Sequence, residues 1–92
     1  MESPFAKRVR DVVRQIPRGQ TRSYGEVARA VGHPGAARAV GTVMRTNYDP
    51  TVPCHRVVRA DGSVGEYNRG GSRAKKRLLE KEGAVPAPLD TQ

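Results

Sequence analysis

Glycine and proline residues divide this chain into short segments, and that division limits what it can fold into. Ser3 and Pro4 are residue types that open helices, and the turn sequence 17–19 ends the segment that follows them. Between these points apolar residues recur at helical spacing, at Phe5, Val9, Val12, Val13 and Ile16. The pattern predicts a short amphipathic first helix.

A capping box and a glycine bound the second segment. Ser23 and Glu26 have the spacing of that box, and Gly32 follows the last apolar residue, so a helix is predicted over 24–31. A third helix is predicted to open at His33-Pro34 and to run over about 33–46. Two short helices joined by a glycine-containing turn are typical of a helix-turn-helix.

The C-terminal half carries β-branched residues and a turn before its last helical segment. Val57-Val58 is predicted to be a strand, and the turn signal at 59–63 before Val64 predicts a small β-hairpin, or wing. A last helix is predicted over about 72–82, and the tail 84–92 is expected to be flexible. The predicted fold is therefore α+β and mainly helical, a winged-helix-like helix-turn-helix domain with a small β-hairpin.

The balance of charge points to a polyanionic partner. Seventeen Lys and Arg against nine Asp and Glu give the 92 residues a formal net charge of +8, and nucleic acid is the first candidate. No apolar run approaches the length of a membrane-spanning helix, so a membrane partner is not expected. One domain is predicted, over 1–83, because a chain of this length buries one modest core.

Cysteine usage bears on compartment and on cofactors. The chain has one cysteine, which excludes an internal disulfide, and a reactive thiol needs a reducing compartment. No apolar stretch follows the N-terminal residues, so a cytoplasmic protein, or a nuclear one in a eukaryote, is expected. No Cys and His residues have metal-ligand spacing, so neither a metal nor another cofactor is expected.

Small residues surround a single arginine near the start of the third helix. Arg38 is the one long side chain among Gly35, Ala36, Ala37 and Ala39. Small side chains let a helix backbone approach a DNA groove closely. An ordinary helical hairpin with one exposed arginine explains the pattern equally well, and the net positive charge favours DNA binding.

The only cysteine, Cys54, is followed directly by a histidine, His55. A thiol reacts as its thiolate, which a nearby imidazole favours by lowering the thiol pKa. The alternative is a small buried hydrophobe, which is the commoner fate of a free cysteine. The pair alone favours that alternative.

The flanking residues change the interpretation. Pro53-Cys54-His55-Arg56-Val57-Val58 resembles the active-site motif of the O6-alkylguanine-DNA alkyltransferases. The resemblance runs from about Phe5 to Gly83 and covers the family's C-terminal, DNA-binding and reactive domain only. It includes further ordered motifs: Ser23-Tyr24-Gly25-Glu26, Ala37-Arg38-Ala39-Val40-Gly41, Asn47, Val64-Gly65, Tyr67, Gly70-Gly71, Leu78-Leu79 and Glu82-Gly83.

The resemblance implies a reactive network. Cys54 takes the alkyl group, and the network runs from Cys54 through His55 and a water molecule to Glu82. The carboxylate orients the imidazole and favours its taking the thiol proton. Asn47 matches the asparagine that ties together the turn before the active-site loop. No step regenerates the thiol, so the implied activity is stoichiometric.

The resemblance also implies how DNA is bound. An alkyl group on O6 of guanine lies inside the duplex, so a thiol reaches it only after the base is flipped out. Arg38 matches the arginine that replaces the extruded nucleotide, and Tyr24 matches the tyrosine that faces the extruded base. The implied DNA-binding residues are Tyr24, Gly25, His33, Arg38 and Ala39. The implied alkyl and base pocket comprises Tyr24, Pro53, Val57, Gly65, Tyr67 and Asn68.

Repair of double-stranded DNA containing O6-alkylguanine is therefore the expected function, by a monomer, with other repair proteins as further candidate partners. The alternative is an alkyltransferase-like protein that binds the lesion without transfer; those carry Trp or Ala where this chain has Cys54. A sequence-specific transcription factor is disfavoured, because Gly35-Ala36-Ala37 offers no side chains to read bases.

Two departures from the family pattern affect the pocket rim. The loop 47–53 is one residue shorter, and Asn68-Arg69 makes the segment before Gly70 one residue longer. They leave the range of accepted alkyl sizes open.

Overall fold

Four α-helices make up about half of the described structure. The structure is a computed structural model that describes residues 3–65 and 70–84. In these ranges the elements are α1 (Pro4–Arg14), β1 (Arg22–Ser23), α2 (Tyr24–Ala30), α3 (Ala37–Arg45), a 3-10 helix (Cys54–Arg56), β2 (Val57–Val58) and α4 (Gly71–Lys81). The predicted α+β, mainly helical class is confirmed. α4 begins and ends one residue earlier than predicted.

The first two helices start where their capping residues predict. Ser3 accepts a hydrogen bond from the Ala6 amide at 3.1 Å, and Pro4 occupies the first helical position. At α2, the Glu26 amide donates to Ser23 Oγ at 3.0 Å, while the Ser23 amide donates to Glu26 Oε1 at 2.7 Å. These hydrogen bonds satisfy amides at the start of α1 and α2 that have no acceptor within the helix.

The third helix starts later than predicted, at Ala37 rather than at residue 33. After α2 the chain makes two backbone bonds typical of a Schellman motif, from Gly32 to the Arg29 carbonyl at 3.0 Å and from His33 to the Ala28 carbonyl at 2.9 Å. Gly32 has a φ of +85°, which a glycine adopts without strain. This motif turns the chain away from the α2 axis before a new helix can begin.

The strand pairing also differs from the prediction. β2 pairs with β1, in parallel, rather than with a second hairpin strand at Val64. After β2 the Arg59 amide donates to the Ser63 carbonyl at 3.0 Å, and this bond closes a turn that continues into no β-ladder within the described residues. Val57 and Val58 are both buried, so the strand runs inside the domain, where β1 lies beside it.

Two apolar clusters hold the elements together. The smaller cluster joins Val58, Leu79 and Ala84, so the first residue of the predicted flexible tail is packed, whereas 85–92 lie outside the described residues. The larger cluster joins α1, α2 and α3 to the Cys54 region: Val9, Val13, Ile16, Val27, Ala28, Val31, Val40, Met44, Val52, Cys54 and Val57.

None of the helices within 3–65 and 70–84 has the length and apolar composition needed to cross a bilayer.

Candidate active site

A short turn of 3-10 helix fixes the cysteine. The Cys54 amide donates to the Val52 carbonyl at 2.8 Å, and the Arg56 amide donates to the Pro53 carbonyl at 2.9 Å. Cys54 is 6% exposed and belongs to the larger core cluster. The thiol is therefore held by rigid neighbours on the protein side.

Asn47 is bonded directly to the thiol. Its side-chain nitrogen Nδ2 donates to Cys54 Sγ at 3.0 Å and to the Asp49 carbonyl at 3.3 Å. Asn47 is only 3% exposed, and its own amide donates to the Met44 carbonyl at 3.2 Å. A donor aimed at sulfur stabilises the thiolate more than the thiol, so this contact favours the reactive form.

A compact ion-pair network lies next to the cysteine. It joins Glu82 to His55 and Arg56, the two residues that follow Cys54. His55 Nε2 lies 2.9 Å from Glu82 Oε2. Arg56 donates from Nε to Glu82 Oε1 and from Nη2 to Oε2, each at 2.9 Å, and from Nη1 to the Ile16 carbonyl at 2.9 Å. These side chains are 12%, 16% and 9% exposed for His55, Arg56 and Glu82. The hydrogen bonds from Arg56, with a smaller contribution from His55, lower the pKa of Glu82 to about 2.

That low pKa settles which nitrogen of the imidazole is basic. An ionised carboxylate only accepts hydrogen bonds, so His55 Nε2 must donate to Glu82. In the neutral ring the proton is then on Nε2, and Nδ1 is the nitrogen that can take a proton. The carboxylate thereby fixes both the tautomer and the orientation of the ring.

Lys75 also belongs to this site, although the sequence motifs do not indicate it. Its side chain is 1% exposed, and Nζ lies 3.4 Å from the Tyr24 hydroxyl and 5.6 Å from the centre of the Tyr24 ring. Burial lowers the pKa of Lys75 from 10.5 to about 8, although the nearby Cys54 acts in the opposite direction. Lys75 lies four residues before Leu79, on the buried side of α4, and that spacing was the available signal.

A groove of about 1050 Å³ connects the cysteine to the surface. Four of its lining residues are cationic, Arg38, Arg45, Arg59 and Lys75, and none of its described lining residues is an aspartate or a glutamate. The remaining lining residues are Tyr24, Gly25, Ala37, Gly41, Met44, Cys54, Ala60, Gly71 and Ser72. Parts of α2, α3 and α4 thus surround one opening that reaches the thiol.

The structure brings only part of the expected DNA-contact set to this groove. Tyr24, Gly25 and Arg38 line it, whereas His33 and Ala39 do not. His33 is exposed on the turn after α2, where its ring meets that of Phe5 edge-on at 5.7 Å between centroids.

The expected pocket residues divide in the same way. Gly65 lies beside Tyr24 and Arg59: a Cβ on Gly65 would stand 3.7 Å from the Tyr24 hydroxyl and 3.5 Å from Arg59 Nε. Val57 is fully buried in the core, because β1 and α2 enclose β2, so it does not form the groove wall. Pro53 is half-buried and is also absent from the lining, and Tyr67 and Asn68 lie outside the described residues.

Residues 4–84 match the family model described as the 6-O-methylguanine DNA methyltransferase, DNA binding domain. The chain belongs to this family. A methylated-DNA–protein-cysteine methyltransferase of Methanothermobacter thermautotrophicus is 51% identical over 80 residues, which are 86% of this chain and 44% of that protein. The Mus musculus protein of the same name is 53% identical over 66 residues, 71% of this chain and 31% of its own length.

Solved structures agree with this membership of the methyltransferase family. The Mycobacterium tuberculosis OGT in complex with DNA superposes with a TM-score of 0.84 at 45% identity, over 94% of this chain and 53% of that one. The S. pombe Atl1 in complex with damaged DNA containing O6-carboxymethylguanine gives 0.79 at 38% identity, over 90% of this chain and 80% of that one. The chain spans about half the length, or less, of the two methyltransferases named above.

Proposed function

We propose that this domain repairs O6-alkylguanine in double-stranded DNA by moving the alkyl group onto Cys54. The observation that carries the proposal is the surroundings of the thiol. Asn47 donates to the sulfur at 3.0 Å, the neighbouring His55 is held by Glu82 at 2.9 Å, and the thiol lines a groove with four cations. The relatives named methylated-DNA–protein-cysteine methyltransferases support the same reaction.

Each group has a defined part in the proposed step. The thiol proton passes towards His55 Nδ1, directly or through a water molecule, while Glu82 stabilises the imidazolium that forms. The thiolate then attacks the alkyl carbon, the bond from that carbon to O6 breaks, and guanine leaves with the electron pair and takes up a proton. Asn47 and the Lys75 ammonium stabilise the thiolate before the attack.

The product is a thioether on Cys54, and the thiol is not restored. Removing the alkyl group from this thioether would require the Cys54 thiolate, a poor leaving group, to depart, and among the described residues there is no second thiol to accept the alkyl group. We therefore infer that each chain reacts once. A free thiol that must persist until it meets a lesion requires a reducing compartment, so we propose the cytoplasm, or the nucleus in a eukaryote.

We further propose that α2 and α3 act as a helix-turn-helix that flips the damaged base. Arg38 supports this, because it is exposed near the start of α3, between two alanines, and lines the same groove as Cys54. Extruding a base costs a few kcal/mol, and a planar guanidinium that fills the vacated stack offsets part of that. Tyr24 and Gly25, at the start of α2, line the same opening.

The test is a stoichiometry titration in which the lesion duplex is in excess over the protein. Increasing amounts of the protein are incubated with a duplex containing O6-methylguanine, and the guanine restored is counted per chain. The proposal predicts a plateau at one guanine per chain. Restoration of several guanines per chain, or of none by well-folded protein, would overturn it.

A second function is favoured by one specific observation. The S. pombe Atl1, solved in complex with damaged DNA, superposes on 90% of this chain with a TM-score of 0.79. The alternative is a lesion-binding protein that does not transfer the alkyl group. Cys54 favours transfer, and the same assay separates the two, because a binding protein would retain the lesion duplex without restoring guanine.

A further inference from the structure

Two cations line the groove that reaches the thiol, one directly after β2 and one on α4. Arg59 follows β2 directly and lines the groove, as does Lys75 from α4. They are near enough for the Arg59 charge to contribute to the lowered pKa of Lys75. The Tyr24 hydroxyl lies beside Lys75, and Gly65, which has no side chain, lies beside Arg59.

The position of Lys75 limits which anions it can meet. A side chain that is 1% exposed does not reach a phosphate on the outside of a duplex, in contrast to the exposed Arg38 and Arg45. An anion that approaches Lys75 must therefore enter the groove. The thiolate of Cys54 is one such anion, and a charged group on a substrate is the other.

The chemistry of transfer gives these cations a specific use. A thiolate that attacks a carbon bonded to a carboxylate brings two negative charges together, and this repulsion raises the barrier unless cations lie beside both. Arg59 and Lys75 line the same groove as Cys54, so their positive charges offset this repulsion. A neutral alkyl group gains nothing comparable from them.

We propose that this site prefers O6 substituents that carry a carboxylate, of which carboxymethyl is the smallest, and that Arg59 and Lys75 set this preference. The inference rests on the proposed recognition of O6-alkylguanine. In the step, the bond from sulfur to the methylene carbon forms while the bond from that carbon to O6 breaks. Guanine leaves with the electron pair and gains a proton, and Cys54 becomes S-carboxymethylcysteine.

The direct test is binding, measured with the nucleophile removed. Cys54→Ala is titrated with two duplexes that differ at one base, O6-carboxymethylguanine or the neutral, similarly sized O6-carbamoylmethylguanine. We expect about tenfold tighter binding of the carboxylate lesion, as for opposite charges a few ångströms apart in a partly shielded site. Adding Arg59→Gln should remove most of this ratio.

Arg77→Gln is the matched control, because it makes the same change of charge at an exposed position of α4 that does not line the groove. It should weaken binding of both duplexes alike and leave their ratio unchanged. Equal binding of the two duplexes by Cys54→Ala, or a ratio that Arg59→Gln does not lower, would overturn the inference.

The pH dependence tests Lys75 without replacing a buried residue, which avoids a variant that fails to fold. The other titratable and charged groups that line the groove with Lys75 are Tyr24, Arg38, Arg45 and Arg59, together with Cys54, which the Cys54→Ala background removes. The pKa of Lys75 is about 8, and losing the thiolate can only lower it further. The binding ratio should therefore fall as the pH rises from about 6.5 to about 9. A ratio that stays constant over this range would exclude Lys75.

Transfer by the unaltered chain separates this inference from the proposed function. If the carboxylate lesion binds more tightly but neither alkyl group reaches Cys54, the transfer proposal fails while the preference stands. If both lesions are repaired but bind equally, the transfer proposal stands while the preference is overturned.

Discussion

Cys54 has two different sides. On one side, His55, Arg56 and Glu82 are joined by hydrogen bonds of 2.9 Å, and the carboxylate lies between the imidazole and a permanent cation. On the other side, Lys75 Nζ lies 3.4 Å from the Tyr24 hydroxyl, and Arg59 lines the same groove. The described lining of this groove contains no carboxylate. The first side is charge-balanced and closed, and the second is cationic and open.

The difference follows from what each side must do in the proposed reaction. A group that receives a proton has to be in one tautomer and one orientation before the substrate arrives, and short bonds to a buried carboxylate provide that. A groove that receives a flipped base has to be empty and must attract an anionic polymer. The two sides should therefore respond differently to substitution.

The largest expected effect separates the two sides completely. Cys54→Ala removes the nucleophile while keeping the groove, so transfer should fall to zero while binding of a duplex with O6-methylguanine changes little. The measurement pairs restored guanine with a binding titration on the same preparation. Loss of binding together with transfer would mean that Cys54 supports the groove itself.

The next effect is on the closed side alone. Glu82→Gln leaves a side chain of the same shape without the charge that stabilises imidazolium, so the transfer rate should fall about a hundredfold. Affinity for duplex should stay close to that of the unaltered chain. Glu80→Gln, on the exposed surface of α4, is the matched control and should keep the full rate. An equal fall in rate and affinity would contradict the division between the two sides.

A smaller effect is expected on the open side. Arg38→Ala should slow transfer from duplex about tenfold more than transfer from free O6-alkylguanine base, because the free base needs no flipping. Arg38→Lys should recover only part of the rate, since an ammonium does not stack as a guanidinium does. Arg77→Ala controls for the lost charge. Equal losses with both substrates would show that Arg38 serves the fold or the pocket instead.

The smallest effect concerns stability. Arg56 holds the pKa of Glu82 at about 2 in the folded chain, against an ordinary value of 4.5. The depressed pKa stabilises the fold fully above about pH 4.5, and this contribution is lost as the pH falls through about 2. The free energy of unfolding should therefore fall less steeply with acid in Glu82→Gln than in Glu80→Gln. Denaturant titrations at several pH values measure the free energy of unfolding of each variant. The same pH dependence in both variants would contradict the ion pair.

The closed side could be anticipated from sequence much better than the open side. Cys54, His55 and Glu82 belong to short motifs that the family resemblance identified, and the structure places His55 and Glu82 in contact. The capping residues of α1 and α2 were also readable, because a cap acts over three or four residues. These are local signals, or signals fixed by a specific motif.

The parts that escaped prediction depend on long-range packing. The parallel pairing of β1 with β2 joins residues 35 positions apart, and no turn signal marks it. Lys75 was missed because lysines are almost never fully buried, so its place on the inner side of α4 was outweighed by its residue type. The Schellman turn that delays α3 depends on Gly32, which was recognised as a stop, although the length of the turn was not.

The central claim is that Cys54 accepts the alkyl group, and mass spectrometry tests it most directly. The intact protein is incubated with excess duplex containing O6-methylguanine, then weighed and digested for sequencing of the modified peptide. The account predicts a mass gain of one methyl group replacing one hydrogen, located on Cys54, with no further gain at longer times. An unmodified Cys54 after guanine has been restored, or a methyl group on any other residue, would contradict it.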